Sequence, residues 1–241
     1  MNKRFSNQIK DMKFILSRTN DYEHHSRKWI LRYGILFWLA TRLLAVVMIL
    51  TCTAIYNKFG INPEQLTKFG GEPTNVKSIF SACYGVMMLL LIAPVLEECI
   101  FRLGLSFKKW QIAIALAAIP AYILFQGLGR ISLSAILIFT AVAIALFCTV
   151  YFTTSQKFWD RMKLRYFKSA IWTTSILFGL THLVAFSHLT IELLPYMLCV
   201  IAVPFFAGCA IAYYRVNLGF WWAVGLHIFN NLPAIAMIAT L

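Results

Sequence analysis

The chain is 241 residues long, 60% hydrophobic and 13% charged, against roughly 45–50% apolar and about 25% charged in a soluble globular domain. A water-soluble fold of this length has too few polar residues to cover such a core, and collagen-like, disordered and small disulfide-rich chains are excluded by the same figures. The formal charge of +13, from 22 Lys and Arg against 9 Asp and Glu, reads as topology and attraction to anionic lipid, with no nucleic acid as partner, because the basic residues gather at the ends of apolar runs.

The expectation is an all-α, polytopic transmembrane helical bundle in one domain. Residues 1–29 read as a basic cytosolic arm with no signal-peptide pattern, and residues 30–241 as the transmembrane domain. Apolar runs follow at about 31–55, 78–103, 110–126, 132–153, 170–187, 189–213 and 217–240, and a span takes about 20 apolar residues. The run at 110–126 is short and carries Pro120. The run at 189–213 carries Pro195 and Pro204, so about seven spans are expected, or eight if it splits. Placing the N-terminus inside leaves only Lys58, Lys68, Lys77 and Arg130 on the outer side, while the other loops and the arm gather the remaining basic residues; Arg42 alone lies within a span. The basic stretch 157–168 reads as a cytosolic loop anchored on anionic lipid, and Trp221 and Trp222 as an interfacial belt. Arg42 is expected to snorkel, to pair with an acid on another span or to touch lipid phosphate. Cys52, Cys83, Cys99, Cys148, Cys199 and Cys209 form no CxxC pair and read as reduced packing residues.

Ionisable groups within spans are costly and point to function. Ala93-Pro94-Val95-Leu96-Glu97-Glu98-Cys99-Ile100-Phe101-Arg102 places two adjacent carboxylates near the cytoplasmic end of the second run. Glu98 and Arg102 share a helix face in the favourable order for an ion pair, and Glu97 is turned about 100° away. The plain alternative is a pair of interfacial acids neutralising nearby basic groups. His24 and His25 belong to the polar arm and His188 to an outer span end, whereas His182 and His227 lie well inside separate apolar runs. Phe178 is placed to brace His182, and Asn231 shares a face with His227. An isolated intramembrane histidine is commonly a hydrogen-bond partner between helices; two of them beside a double carboxylate argue for a site. At about 1.5 Å per residue, Glu97 lies roughly 8–12 Å from the cytoplasmic span end, His227 about 15 Å and His182 about 18 Å, depths compatible with one cavity.

Taken together, Glu97-Glu98 with Arg102, Phe178 with His182, and His227 with Asn231 resemble the CPBP family of intramembrane proteases. It includes CAAX prenyl endopeptidases and bacterial abortive-infection and bacteriocin-processing proteins. The family pattern is Glu-Glu-x-x-x-Arg, Phe-x-x-x-His and His-x-x-x-Asn/Asp on separate transmembrane helices. Similarity covers about residues 78–235, including Ala93-Pro94 before the double Glu; Leu103-Gly104 departs from the Gly that many members place directly after Arg. The resemblance implies peptide hydrolysis in which Glu97 activates water, His182 helps hold it, and His227 and Asn231 stabilise the oxyanion, with Glu98, Arg102 and Phe178 in support. Two His and a Glu also make a possible zinc set, but HExxH is absent, and a metal-independent mechanism without cofactor is the reading adopted.

The expected partners are the lipid bilayer and a membrane-associated peptide or protein substrate, such as a pheromone or bacteriocin precursor or a prenylated C-terminus. The expected setting is a bacterial cytoplasmic membrane, with the site open to the cytoplasm. The competing readings are a non-catalytic scaffold, acting as an immunity factor or a regulator of a membrane signalling partner, and a proton-coupled transporter. The latter lacks an evident repeated half.

Overall fold

A computed structural model describes residues 27–60, 87–126, 132–185 and 191–239. Within them the chain is all-helical, with no strand. The basic arm lies outside the described residues except for Arg27, Lys28 and Trp29, as do His24, His25, Cys83, His188 and the start of the 78–103 run.

Helix α1 (Arg27–Lys58) is 32 residues long, about 48 Å at 1.5 Å per residue. It buries Gly34, Thr41, Ala45, Cys52 and Tyr56, a spacing that alternates sevens and fours and so stays on one stripe. A π-turn over Met88–Ile92 leads without a break into the short helix α2 (Ala93–Phe101). Pro94 has no N–H to give, and the wide turn closes just before it, with the Ala93 N–H bonded to the Met88 carbonyl. A 3₁₀ turn, Leu103–Ser106, ends at Phe107 in the left-handed region with φ 58°. It hands the chain to α3 (Lys109–Gln126), which carries Pro120 inside.

Helix α4 (Leu133–Thr153) starts at Ser132, whose hydroxyl accepts the Ala135 N–H at 3.2 Å. It packs along α3 and buries no residue fully, leaving its large apolar side chains outward. Helix α5 (Gln156–Thr181) is capped by Ser155. It runs directly through residues 157–168, so the basic stretch is not the expected loop but the first half of a 26-residue helix. Lys, Arg, Met and Leu are good helix formers, and a polar helical half has no hydropathy signature. Helix α6 (Leu194–Asn217) is one helix, with Pro195 in its first turn, where a missing N–H costs nothing, and Pro204 inside. Leu218 and Gly219, the latter at φ +109°, turn it into α7 (Phe220–Ala239).

The core is organised around α6, which packs on α1, α5 and α7. It buries Ala207, Gly208, Ala210, Ile211 and Ala212, and small side chains allow helix backbones to approach closely where apolar burial alone gives no net drive. Arg42 of α1 donates to the Val203 carbonyl of α6 at 3.3 Å, so among the described residues it meets backbone and not an acid. Among the described residues three helices, α1, α4 and α6, are long and apolar enough to cross a membrane, and Lys109–Leu124 is a shorter apolar helix.

The α1–α6 contact is close at Gly34, where an added Cβ would overlap the Tyr214 ring, whose hydroxyl donates to the Leu31 carbonyl at 3.3 Å. Gly34→Val should therefore cost about 1–3 kcal/mol through overpacking. Thermal unfolding of the detergent-solubilised protein should show a lowered midpoint, with Gly34→Ala in between.

Candidate active site

The site is built on α2, α3, α5 and α7. Because α2 is helical, adjacent Glu97 and Glu98 leave its axis in directions about 100° apart. Glu98 is fully buried. Its Oε1 accepts from His227 Nδ1 at 2.8 Å and lies 3.6 Å from Arg102 Nη1. The expected i, i+4 pair is formed, but Glu98 is shared: the same oxygen serves the cation of its own helix and the imidazole of α7.

Arg102 is also fully buried. Its Cζ lies 4.1 Å from the centroid of the Phe178 ring and 5.5 Å from that of Phe101. Among the described residues none supplies a hydrogen bond to its guanidinium, so its charge is balanced by Glu98 and by an aromatic face. Gly208 makes room for it, since a Cβ there would stand 2.6 Å from Nη2. Arg215, which hydropathy alone marks only as an inner-side charge, holds the end of α2. Its Nε donates to the Arg102 carbonyl at 3.0 Å, and its Nη2 to the Leu103 carbonyl at 3.1 Å and to Gln111 Oε1 at 2.9 Å. The two carbonyls lie where α2 passes into the 3₁₀ turn, and the Arg102 carbonyl also accepts the Leu105 N–H at 3.1 Å.

Glu97 faces the other side of His227, with Oε2 3.4 Å from Nε2. Its second oxygen, Oε1, accepts from the Tyr122 hydroxyl of α3 at 3.2 Å. The imidazole thus stands between two carboxylates, 12% exposed at Glu97 and sealed at Glu98. With Nδ1–H given to Glu98, Nε2 and Glu97 face each other across a gap that one proton can bridge from either side.

His182 does not lie inside a helix. It follows the last residue of α5 and opens a 3₁₀ turn over His182–Ala185. Its Nδ1 donates to the Phe178 carbonyl at 2.9 Å, satisfying a helix-end acceptor and leaving Nε2 as the lone-pair nitrogen of the neutral ring. Phe178 does more than brace it: the ring meets His182 edge-on at 5.2 Å and His227 edge-on at 5.4 Å. Glu97, Glu98, Arg102, Phe178 and His227 are therefore linked pair by pair, Glu97 through His227 alone, and His182 joins them across the Phe178 ring. Asn231 follows His227 by one turn on α7 and is partly buried. Its neighbour Asn230 accepts from Trp38 Nε1 of α1 at 3.3 Å, and the Trp38 ring packs on Phe229.

Tyr122, Arg215 and Trp38 were not among the candidate residues of the sequence. Only Tyr122 has a readable signal, since a phenol in an apolar helix needs a polar partner. Among the described residues no group of three or more His, Cys, Asp or Glu side chains is arranged to hold a metal ion, and both nitrogens of His227 face carboxylates. Comparison with protein-family models, curated proteins and solved structures finds no match for this chain.

Breaking one partner of a buried ion pair strands the other. Arg102→Met should destabilise the protein by about 3–5 kcal/mol. The double change with Glu98→Gln should cost clearly less than the sum of the two single changes, as read from denaturant unfolding of each variant.

Proposed function

We propose that this protein is an intramembrane endopeptidase that hydrolyses a peptide bond in a membrane-associated peptide through a water activated by Glu97. One observation carries the reading: Glu97 stands 3.4 Å from one nitrogen of a buried imidazole whose other nitrogen is held by Glu98 at 2.8 Å, although the residues come from segments 129 positions apart. A carboxylate of this kind next to a fixed imidazole is a general base with a proton partner.

In the proposed cycle Glu97 takes a proton from water as the hydroxide oxygen attacks the scissile carbonyl. His182, with Nδ1 tied to the Phe178 carbonyl, turns its lone pair toward the same water. The oxyanion of the tetrahedral intermediate is stabilised by Asn231 and by the His227 Nε2–H, which Glu97 no longer needs once that carboxylate has taken the proton from water, in an apolar setting where each such hydrogen bond is worth several kcal/mol. Collapse breaks the C–N bond, and the proton held by Glu97 passes to the leaving amine. Glu98 and Arg102 keep the imidazole oriented, as a buried acid does for histidine in other hydrolases. No step requires a metal or other cofactor.

The proposed setting is a bacterial cytoplasmic membrane with seven spans, the N-terminus inside and the site open to the cytoplasm. The unbroken course of α6 supports seven spans over eight, and the basic ends of the apolar segments support the orientation. The proposed substrates are short membrane-anchored precursors of the pheromone or bacteriocin type, or prenylated C-termini.

Peptides released from membranes bearing the native chain should be lost with Glu97→Gln, their rate of formation falling about 10²–10⁴-fold, and similarly with His182→Ala, while both variants still insert. Persistence of the same peptides in both variants removes the peptidase reading and leaves a scaffold. For topology, an alkaline phosphatase fused after Leu241 should be active and a fluorescent protein fused there dark; the reverse pattern rules out the proposed orientation.

A further inference from the structure

We infer that Tyr122 is a positioning residue for this reaction, its phenol fixing the plane of the Glu97 carboxylate so that one lone pair of that group faces the attacking water. The inference rests on the peptidase reading of Glu97. It adds α3 to the three helices whose motifs carry that reading.

The terminal torsion of a glutamate is soft and broad, so a carboxylate fixed at one oxygen still samples many orientations. Glu97 is engaged at both, though unequally: Oε1 accepts from the Tyr122 hydroxyl of α3 at 3.2 Å, and Oε2 stands opposite His227 Nε2 of α7 at 3.4 Å, an electrostatic contact longer than an ordinary hydrogen bond. Among the described residues the phenol thus supplies the one side-chain hydrogen bond on the plane of this carboxylate, and with two acceptor sites on each oxygen there is room left for water. Tyr122 is 9% exposed and is the one polar side chain between Ile112 and Phe125, so the helix presents this hydroxyl against an otherwise apolar background. A phenol suits the task because it is a neutral donor. A lysine or arginine at that place would bind the carboxylate as an ion pair and take it out of use as a base. The competing explanation is that a buried hydroxyl needs an acceptor and Glu97 supplies one. In that case Tyr122 matters for stability and leaves the turnover number alone.

The two explanations separate in the full-length protein reconstituted in lipid nanodiscs. The infrared difference between the native chain and Glu97→Gln isolates the Glu97 carboxylate stretch, without any substrate. Tyr122→Phe should displace that band, and 3,5-difluorotyrosine placed at position 122, a stronger donor of nearly the same shape, should displace it in the opposite sense. On the peptide whose release depends on Glu97, Tyr122→Phe should lower kcat about 10- to 100-fold with KM held within about twofold. A band indifferent to both variants overturns the inference, as does a loss of thermal stability with kcat unchanged. A band that responds in a native chain with no peptidase activity overturns the peptidase reading and with it the positioning role. A native chain that is active and indifferent to Tyr122 overturns the positioning role alone.

Discussion

The structure depends on one buried carboxylate. Glu98 is sealed from solvent and binds Arg102 on its own helix and His227 on α7 through the same oxygen. An unpaired charge at this depth would be costly enough to expel itself or neutralise. Glu98 therefore commits α2 to stay where Arg102 and His227 can both reach it. The cation in turn rests on Phe178, which touches both imidazoles. Position is passed from acid to guanidinium to aromatic ring to the two histidines.

That arrangement is affordable because α6 is built of small residues. Ala207, Gly208, Ala210 and Ala212 lie along its buried faces. The missing Cβ at Gly208 is what lets the guanidinium lie where it does. From its last turn, Arg215 of the same helix ties the Arg102 and Leu103 carbonyls, just past the end of α2, to Gln111 of α3. A nine-residue helix is too short to hold itself straight in isolation. Here it is held by its neighbours, ahead of it by the π-turn and behind it by an arginine.

Much of the helical plan was legible, because apolar runs announce buried or lipid-facing helices, and i, i+4 spacing announced Glu98 with Arg102 and Phe178 with His182. Residues 157–168 were not legible as helix, because charge hides a helix from hydropathy. His182 was expected inside a span and instead follows the last residue of α5 and opens a 3₁₀ turn, with no glycine or proline directly after Thr181 to announce that end. The meeting of Glu98 with His227 was not legible in detail either, because nothing in either segment encodes which ring nitrogen faces which acid. The Tyr122 phenol announces a need for a polar partner but not which one, and its contact with Glu97 exists only once α3 is laid beside α2.

The wide turn over Met88–Ile92 has a bearing on how the site could have arisen. A π-turn is an α-helical stretch with one residue more than the regular winding accommodates, and each residue advances the helix by about 100°. The compass bearing of everything downstream, Glu97 and Glu98 included, is therefore set by that surplus residue. Without it the two carboxylates would swing round the axis, and the acid now facing the imidazole would be aimed at another neighbour. The insertion works as an indexing notch, by which a change of a single codon can redirect a pair of acids without altering either of them.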